Sequence, residues 1–354
     1  MYIIRADGNA KIGAGHLMRC MTVAGELAKT EGNRDGLLFL CADAQSADLA
    51  SEGGFRAEVL GNDYRKMEAE LPLLEKLLRR CAPGSRNVIL VDSYYVTDAY
   101  LKWLRNFGRV ALLDDLGESC YSVDCVINYN ACADRKWYEK LYKGSETCLA
   151  LGCEYAPVRA QFLNRDYRVR EEVKRVLITT GGGDIDNIAG QILERIEDGD
   201  REYDLVTGQF NPHFKELKEL ERRHDNVRIL HNVSEMGSLM EKCDLAVTAG
   251  GSTIYELAAV GVPFLCFSYA KNQETLTEYI GQNGIAGFGG AYHKDRERTL
   301  ERLEALFREL VREPQKRREY QRREQGLIDG NGAHRLARLL RVLSSEGKET
   351  KENE

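Results

Sequence analysis

Short apolar runs alternate with stretches of helical periodicity along almost the whole of this 354-residue chain. That alternation leaves few folds open. A strand followed by a helix and another strand closes into a parallel pair, because a parallel neighbour needs a long crossover. In the first half the strand-like runs are 2–5, 36–41, 57–60, 88–92, 110–113 and 125–128, with helical stretches such as 66–81 and 96–106 between them. The pattern restarts near residue 173. Runs at 175–179, 203–207, 227–231, 245–248 and 263–267 follow, separated by helical stretches at 188–196, 214–224, 233–242 and 253–260. The spacing predicts an α/β chain of two Rossmann-like domains, 1–155 and 173–343. A linker over 156–172 is marked by Glu154–Arg159 and a charged stretch. A charged helical region, 298–341, is broken at Asp329-Gly330-Asn331-Gly332 before a last amphipathic helix, 334–343. Residues 344–354 read as a disordered polar tail.

Composition excludes some classes of function. The formal net charge is −6, which argues against a general nucleic-acid binder. The basic cluster Lys316, Arg317, Arg318, Arg322 and Arg323 is interleaved with Glu319 and Glu324 and reads as a solvated helix face. No apolar run approaches the roughly 18 residues of a membrane span, so no membrane insertion is expected. The chain enters its first strand with Arg5 and Asp7 and shows no signal-peptide pattern, which predicts a cytoplasmic location. Ten cysteines are present without a C-x-x-C pair, and the histidines are scattered singly. No metal site is predicted, and the cysteines read as reduced thiols packed as small hydrophobes.

The first twenty residues carry the clearest chemical signal. A strand ending at Asp7 leads through Ile12-Gly13-Ala14-Gly15 to His16 at the start of a helix. Strand ends that feed glycine loops are ligand sites in open α/β sheets. First-turn amides can hold an anion there. The helix dipole disfavours an imidazolium at that end, so His16 is a ready proton acceptor. Gly13 and Gly15 leave the loop without side-chain bulk beside the ring. Asp92 ends a strand and is followed by Ser93 and Tyr94, and Asp114-Asp115 end the next. Carboxylates there can orient His16, bind hydroxyls or polarise water, or they can cap helices.

Two further glycine loops lie in the second half. Gly250-Gly251-Ser252-Thr253 follows a buried run and opens a helix, with Glu256 one turn after Ser252 on the same side. The loop suits a phosphate, and Glu256 a ribose diol. A tight turn with a helix cap and a surface glutamate fits the spacing equally. Thr180-Gly181-Gly182-Gly183-Asp184 reads as a ligand-facing loop or a flexible turn. Neither is a P-loop or a nucleophile elbow.

Arg5-Ala6-Asp7, Ile12–His16 and Met18-Arg19-Cys20 together resemble the N-terminal signature of the nucleotide-sugar hydrolases of pseudaminic acid biosynthesis. Asp92-Ser93-Tyr94, Asp114-Asp115, Tyr155–Arg159, Gly181–Asp184, Ala249–Glu256, Lys271–Glu274 and Asp329–Ala333 extend the resemblance over about residues 1–340. It implies a GT-B fold, two Rossmann-like domains with parallel sheets facing a central cleft, and UDP bound mostly by the second domain. Gly250, Gly251, Ser252 and Thr253 would hold the diphosphate and Glu256 the ribose. Asn272 and Gln273 would lie near sugar or phosphates, with Gly182, Asp7, Gly13 and Gly15 also lining the substrate. His16 matches the catalytic histidine, Tyr94 a tyrosine that positions sugar or water, and Asp92 joins them. The implied reaction is attack of water on the anomeric carbon of a UDP-2,4-diacetamido-2,4,6-trideoxyhexose, with inversion and release of UDP, for nonulosonic acid synthesis. No cofactor or metal is implied, and the UDP-sugar is the partner. The alternatives are a GT-B glycosyltransferase using a UDP-sugar donor, or a hydrolase of another nucleotide-linked sugar, since the scaffold is shared with spore-coat polysaccharide proteins.

Overall fold

Residues buried on both faces of a parallel sheet are continuous apolar runs, as Leu37–Cys41 and Leu245–Ala249 are in this chain. The computed structural model describes residues 1–81, 87–181, 183–208 and 211–345. The chain divides into two compact units, Met1–Pro157 with Asn331–Glu354, and Val158–Gly330.

The first unit contains β1 (Tyr2–Ala6), α1 (Gly15–Glu31), β2 (Leu37–Cys41), α2 (Ala44–Glu52), β3 (Arg56–Val59), α3 (Leu71–Cys81), β4 (Asn87–Asp92), α4 (Asp98–Leu104), β5 (Gly108–Leu113), β6 (Cys125–Asn128), α5 (Arg135–Leu141) and β7 (Cys148–Leu151). Its sheet has the order β3-β2-β1-β4-β5-β6-β7, and every pairing is parallel. Ile3, Leu38, Leu40, Ile89, Val91 and Leu112 form the centre of one core cluster. A second buried layer is polar: Arg5 donates to Asp7 and, through two nitrogens, to Glu70, which also accepts from Tyr100.

The second unit contains β8 (Arg175–Thr179), α6 (Ile188–Ile196), β9 (Glu202–Thr207), α7 (Phe214–Arg223), β10 (Val227–His231), α8 (Met236–Met240), β11 (Leu245–Ala249), α9 (Ser252–Val260), β12 (Phe264–Ser268), α10 (Lys271–Gln282), β13 (Gly287–Ala291), α11 (Arg296–Arg312) and α12 (Pro314–Gln325). Its sheet order is β10-β9-β8-β11-β12-β13, again all parallel. In both sheets the order reverses beside the unit's first strand, between β1 and β4 and between β8 and β11. Ligands of open α/β sheets bind at such switch points, outside the carboxyl ends of the strands.

The final helix, α13 (Gly332–Ser345), corrects the expected boundary at 343 in two ways. It belongs to the first unit and not the second. Its apolar stripe, Leu336, Ala337, Leu340 and Leu343, is buried, and Arg341 pairs with Glu31 of α1 at 2.9 Å. It also runs two residues into the expected tail, whose remaining positions, 346–354, lie outside the described residues. The expected linker is likewise part of the second unit from residue 158. Val158, Phe162 and Tyr167 are buried, and Arg165 and Arg170 pair with Glu241 and Asp244.

Two strands escaped the sequence pattern. β7 is a four-residue edge strand, and β13 (Gly-Phe-Gly-Gly-Ala) carries too little apolar side chain to read as one. The basic cluster is not wholly solvated either. Arg317 and Glu324 on α12 are fully buried. The Arg317 guanidinium caps the carbonyls of Leu310, Val311, Arg170 and Glu171. Of the nine described cysteines, Cys20, Cys41, Cys125, Cys243 and Cys266 are buried, while Cys120 and Cys148 are exposed. Among the described residues no helix is long and apolar enough to cross a membrane.

Candidate functional site

The switch point of the first unit brings together residues far apart in sequence. Ala6 and Asp92 are registered neighbours at the ends of β1 and β4. The chain leaving β1 runs through Asn9, whose side-chain oxygen accepts the Lys11 and Ile12 amides, and then into α1. Gly13 sits at φ +74°, a left-handed conformation natural to glycine, and its amide donates to Asn9 O at 2.8 Å. Gly15 begins α1 with open space around it, and α1 has no side-chain cap.

His16 therefore reaches Asp92 from the next residue of the helix. Its Nδ1 lies 2.6 Å from Asp92 Oδ1. An ionised carboxylate can only accept, so this contact places the proton on Nδ1 and leaves Nε2 as an acceptor. Nε2 makes no hydrogen bond to the described residues, and the ring is 13% exposed. Asp92 also accepts from Arg19 Nε and Nη2, both at 2.6 Å. Burial alone would push the Asp92 carboxyl up, but Arg19 and His16 hold it well below the usual carboxylate range. Arg19 continues from Nη1 to Asp115 Oδ2 and to the Tyr129 hydroxyl, each at 2.8 Å. Tyr94 donates to the same Asp115 oxygen at 3.0 Å and packs edge-on against the imidazole, ring centroids 4.6 Å apart.

Asp92, Tyr94 and His16 are thus in one cluster. Asp115 joins them, whereas Asp114 caps the turn that follows β5 by accepting the Leu116 and Gly117 amides. Asp7 does not join. It is 3% exposed and committed to Arg5 and to the Ala42 amide, each at 2.6 Å, which gives no support to the expected substrate contact. Arg19 and Tyr129 were given no role by sequence. The available signal for Arg19 was its place three residues after His16, on the same helical face.

In the second unit both glycine loops leave the switch-point strands, β8 and β11. Gly250 is explained by packing: a Cβ there would stand 2.5 Å from Thr277 Cγ2 and 3.0 Å from Gln273 Cβ on α10. Its amide is spent on Phe267 O at 2.8 Å. Gly251 is different, with open space at its Cβ position and an extended backbone. It precedes Ser252 and Thr253, the first residues of α9, which has no side-chain cap. Their amides precede the first intrahelical bond and point out of the helix end. Glu256, one turn on, accepts Arg159 Nη2 at 2.9 Å and Nε at 3.2 Å, both on Oε1. Burial raises the Glu256 carboxyl and Arg159 opposes the rise. Gln273 fixes the β12–α10 turn by accepting the Tyr269 amide at 3.0 Å, and Asn272 is exposed at the start of α10. Asp184, in the other loop, accepts the Ile188 and Ala189 amides and so holds the start of α6. Gly182 lies outside the described residues. Among the described residues no group of three or more His, Cys, Asp or Glu could hold a metal ion.

Comparison with known proteins places these features in context. The profile described as the glycosyltransferase family 28 C-terminal domain matches residues 176–336. The chain is 25% identical over 292 residues to the uncharacterized protein MJ1062 of Methanocaldococcus jannaschii, covering 78% of this chain and 57% of that protein. It is 24% identical over 286 residues to the UDP-2,4-diacetamido-2,4,6-trideoxy-beta-L-altropyranose hydrolase of Campylobacter jejuni, covering 80% of this chain and 96% of that enzyme. It is also 24% identical over 294 residues to the spore coat polysaccharide biosynthesis protein SpsG of Bacillus subtilis, covering 80% and 81%. Among solved structures, Acinetobacter baumannii MurG aligns with a TM-score of 0.65 at 13% identity, covering 96% of this chain and 99% of that one. Anabaena Alr3699/HepE in complex with UDP-glucose aligns with a TM-score of 0.61 at 16% identity, covering 97% and 100%. The fold is that of the GT-B glycosyltransferases, two parallel-sheet α/β domains, and the resemblance read from the sequence motifs stands on named relatives.

Proposed function

We propose that this protein is a nucleotide-sugar hydrolase that cleaves UDP from a UDP-2,4-diacetamido-2,4,6-trideoxyhexose, serving nonulosonic acid synthesis. The observation that carries the reading is the His16–Asp92 pair: a carboxylate fixes the proton on Nδ1 and leaves Nε2 oriented and without a hydrogen bond to the described residues, on a side chain that is 13% exposed. The similarity to the Campylobacter hydrolase supports the substrate class.

In this reading the second unit holds UDP. The Gly251, Ser252 and Thr253 amides and the helix dipole of α9 take the diphosphate. Glu256 takes the ribose hydroxyls through Oε2, since its Oε1 is engaged by Arg159. Asn272 and Gln273 lie toward the sugar-phosphate end. The first unit supplies the base. A water oxygen bonds to the anomeric carbon while its proton passes to His16 Nε2. The anomeric C–O bond breaks, its electron pair leaves on the β-phosphate oxygen of UDP, and configuration inverts. UDP leaves as a stabilised anion, so amide donors and a helix dipole serve where a strong general acid would otherwise be needed. Tyr94 walls the imidazole, keeping the ring and its water in one orientation.

The test is turnover of the UDP-sugar in 18O-labelled water with no acceptor present. Hydrolysis at the anomeric carbon delivers UDP and a free sugar carrying the label, and His16→Ala abolishes both. Label in the phosphate, or a His16→Ala enzyme as fast as the wild type, overturns the mechanism. The solved GT-B neighbours and the family 28 profile favour one second reading, transfer to an acceptor. Turnover only on addition of an acceptor would establish it.

A further inference from the structure

We infer that Arg19 is the positioning residue of the His16 site: one guanidinium locks both the carboxylate that orients His16 and the carboxylate that holds Tyr94. Its catalytic meaning rests on the hydrolase reading above, while its geometry does not depend on that reading.

Four hydrogen bonds leave the Arg19 guanidinium for Asp92, Asp115 and Tyr129, and the side chain is only 8% exposed. The planar fork matches Asp92 through two parallel bonds, a fit that a lysine ammonium cannot reproduce. Arg19 Nη2 also stands 3.1 Å from His16 Nδ1. The two neighbours of Nδ1 make opposite demands. Asp92 requires a proton on Nδ1, and Arg19 would prefer that nitrogen bare. The distances, 2.6 Å against 3.1 Å, decide for Asp92. The guanidinium thus places a fixed positive charge beside the ring.

The charged groups of the cluster come from three segments, Arg19 on α1, Asp92 at the end of β4 and Asp115 after β5, and the hydroxyls of Tyr94 and Tyr129, after β4 and β6, complete it. The buried Cys20 thiol, which donates to Asp92 Oδ2 at 3.5 Å, is neutral, since burial pushes it well up. With neutral His16 the cluster holds two negative charges and one positive. Removing Arg19 leaves the buried Asp92 and the partly buried Asp115 without that cation, and a protonated ring would supply one in its place. The base is then blocked by its own second proton.

The test compares Arg19→Gln, Arg19→Lys and Asp92→Asn by the pH profile of kcat/KM and by the 15N shifts of the His16 ring. Arg19→Gln moves the acid limb of the profile up by about one pH unit or more, the size of one removed neighbouring charge, and activity returns at higher pH. Asp92→Asn moves the limb the other way. Arg19→Lys keeps the charge and so the limb, but lowers kcat at every pH because the fork to Asp92 and Asp115 is lost. In the wild type, nitrogen shifts show the proton on Nδ1. An acid limb unmoved in Arg19→Gln, with activity falling only in step with folded fraction, overturns the inference, as does a wild-type ring protonated on Nε2. If Arg19→Gln does not fold, the Arg19→Lys and Asp92→Asn profiles and the wild-type nitrogen shifts still decide. A protein that turns over no UDP-sugar at all sinks the hydrolase reading, and the ring nitrogens then test Arg19 by themselves.

Discussion

Arg19 and Asp92 meet through two parallel hydrogen bonds of 2.6 Å although 73 residues separate them in sequence. The pair makes the acid stability of the first unit predictable. Asp92 ionises well below an ordinary carboxylate because Arg19 and His16 more than offset the cost of its burial. A carboxyl whose folded value is depressed contributes stability that is present above its unfolded value of about 3.9 and is lost as pH falls through the folded value. Wild type is therefore expected to exceed Asp92→Asn at neutral pH, with the Asp92 share of the margin shrinking below about pH 4. Both tryptophans, Trp103 and Trp137, lie in the first unit. Urea unfolding followed by their fluorescence measures that margin without interference from the second unit. A margin that does not change with pH would mean that the ion pair contributes nothing.

Glu256 and Arg159 yield a prediction about UDP. The Glu256 side chain is only 14% exposed, and Arg159 binds only one of its oxygens. If Oε2 accepts the ribose hydroxyls, Glu256→Ala removes charge-assisted hydrogen bonds worth about 1.5–3 kcal/mol, or roughly 10- to 100-fold in affinity. Arg159→Ala should weaken UDP by less, through loss of orientation alone. Because burial raises the Glu256 carboxyl, affinity for UDP is expected to decline on acidification sooner than for a solvent-exposed carboxylate. Titration calorimetry with UDP at several pH values checks both statements. Unchanged affinity in Glu256→Ala would remove this residue from the nucleotide site.

What could be read in the sequence follows from range of interaction. The βαβ alternation was legible because a strand buried on both faces must be apolar throughout, as Leu37–Cys41 and Leu245–Ala249 are. His16 and Asp92 were legible separately, because each stands at the carboxyl end of a strand. Their contact was not, since it depends on β1 and β4 being neighbours. Asp7 shows the limit of the strand-end rule: the same position can serve the buried Arg5 and the Ala42 amide. Nothing in the local pattern of α13 tells which unit it joins, because an apolar stripe specifies burial and not a partner. Arg317 and Glu324 read as surface charges because neighbouring residues on α12 are charged, and only the packed structure shows them turned inward.

Glu324 gives a prediction of opposite sign to Asp92. It is fully buried, accepts the Phe264 amide at 3.2 Å through Oε1, and leaves Oε2 without a partner. Burial pushes its carboxyl well above the ordinary range. Here the folded protein holds the proton more tightly than the unfolded chain. The stabilisation is complete below the unfolded value and declines as pH rises toward the folded one. Glu324→Gln keeps an oxygen for the Phe264 amide and cannot ionise. Its thermal midpoint by circular dichroism is expected to match wild type near about pH 5 and to exceed it by several degrees at about pH 8, at roughly 2–4 °C per kcal/mol for a domain of this size. A variant less stable than wild type across the whole range would show that the acidic proton itself holds the site together.

Gly250 and Gly251 are adjacent, and their alanine variants are expected to fail in different ways. At Gly250 a methyl group would meet Thr277 Cγ2 at 2.5 Å and Gln273 at 3.0 Å, so α9 and α10 must separate or shift. Gly250→Ala should cost about 1–3 kcal/mol of stability, the range for overpacking a filled interior. At Gly251 a methyl group meets nothing within 4 Å, and the extended backbone suits any residue. Gly251→Ala should melt within about 0.5 kcal/mol of wild type, as changes at unencumbered surface positions do. Its effect should appear instead in ligand binding, because the methyl group stands beside the amides that open α9. Weaker UDP binding with unchanged stability in Gly251→Ala, and lost stability in Gly250→Ala, would separate the glycine kept for packing from the glycine kept for the diphosphate. If Gly251→Ala binds UDP as tightly as wild type, the diphosphate does not rest on this loop.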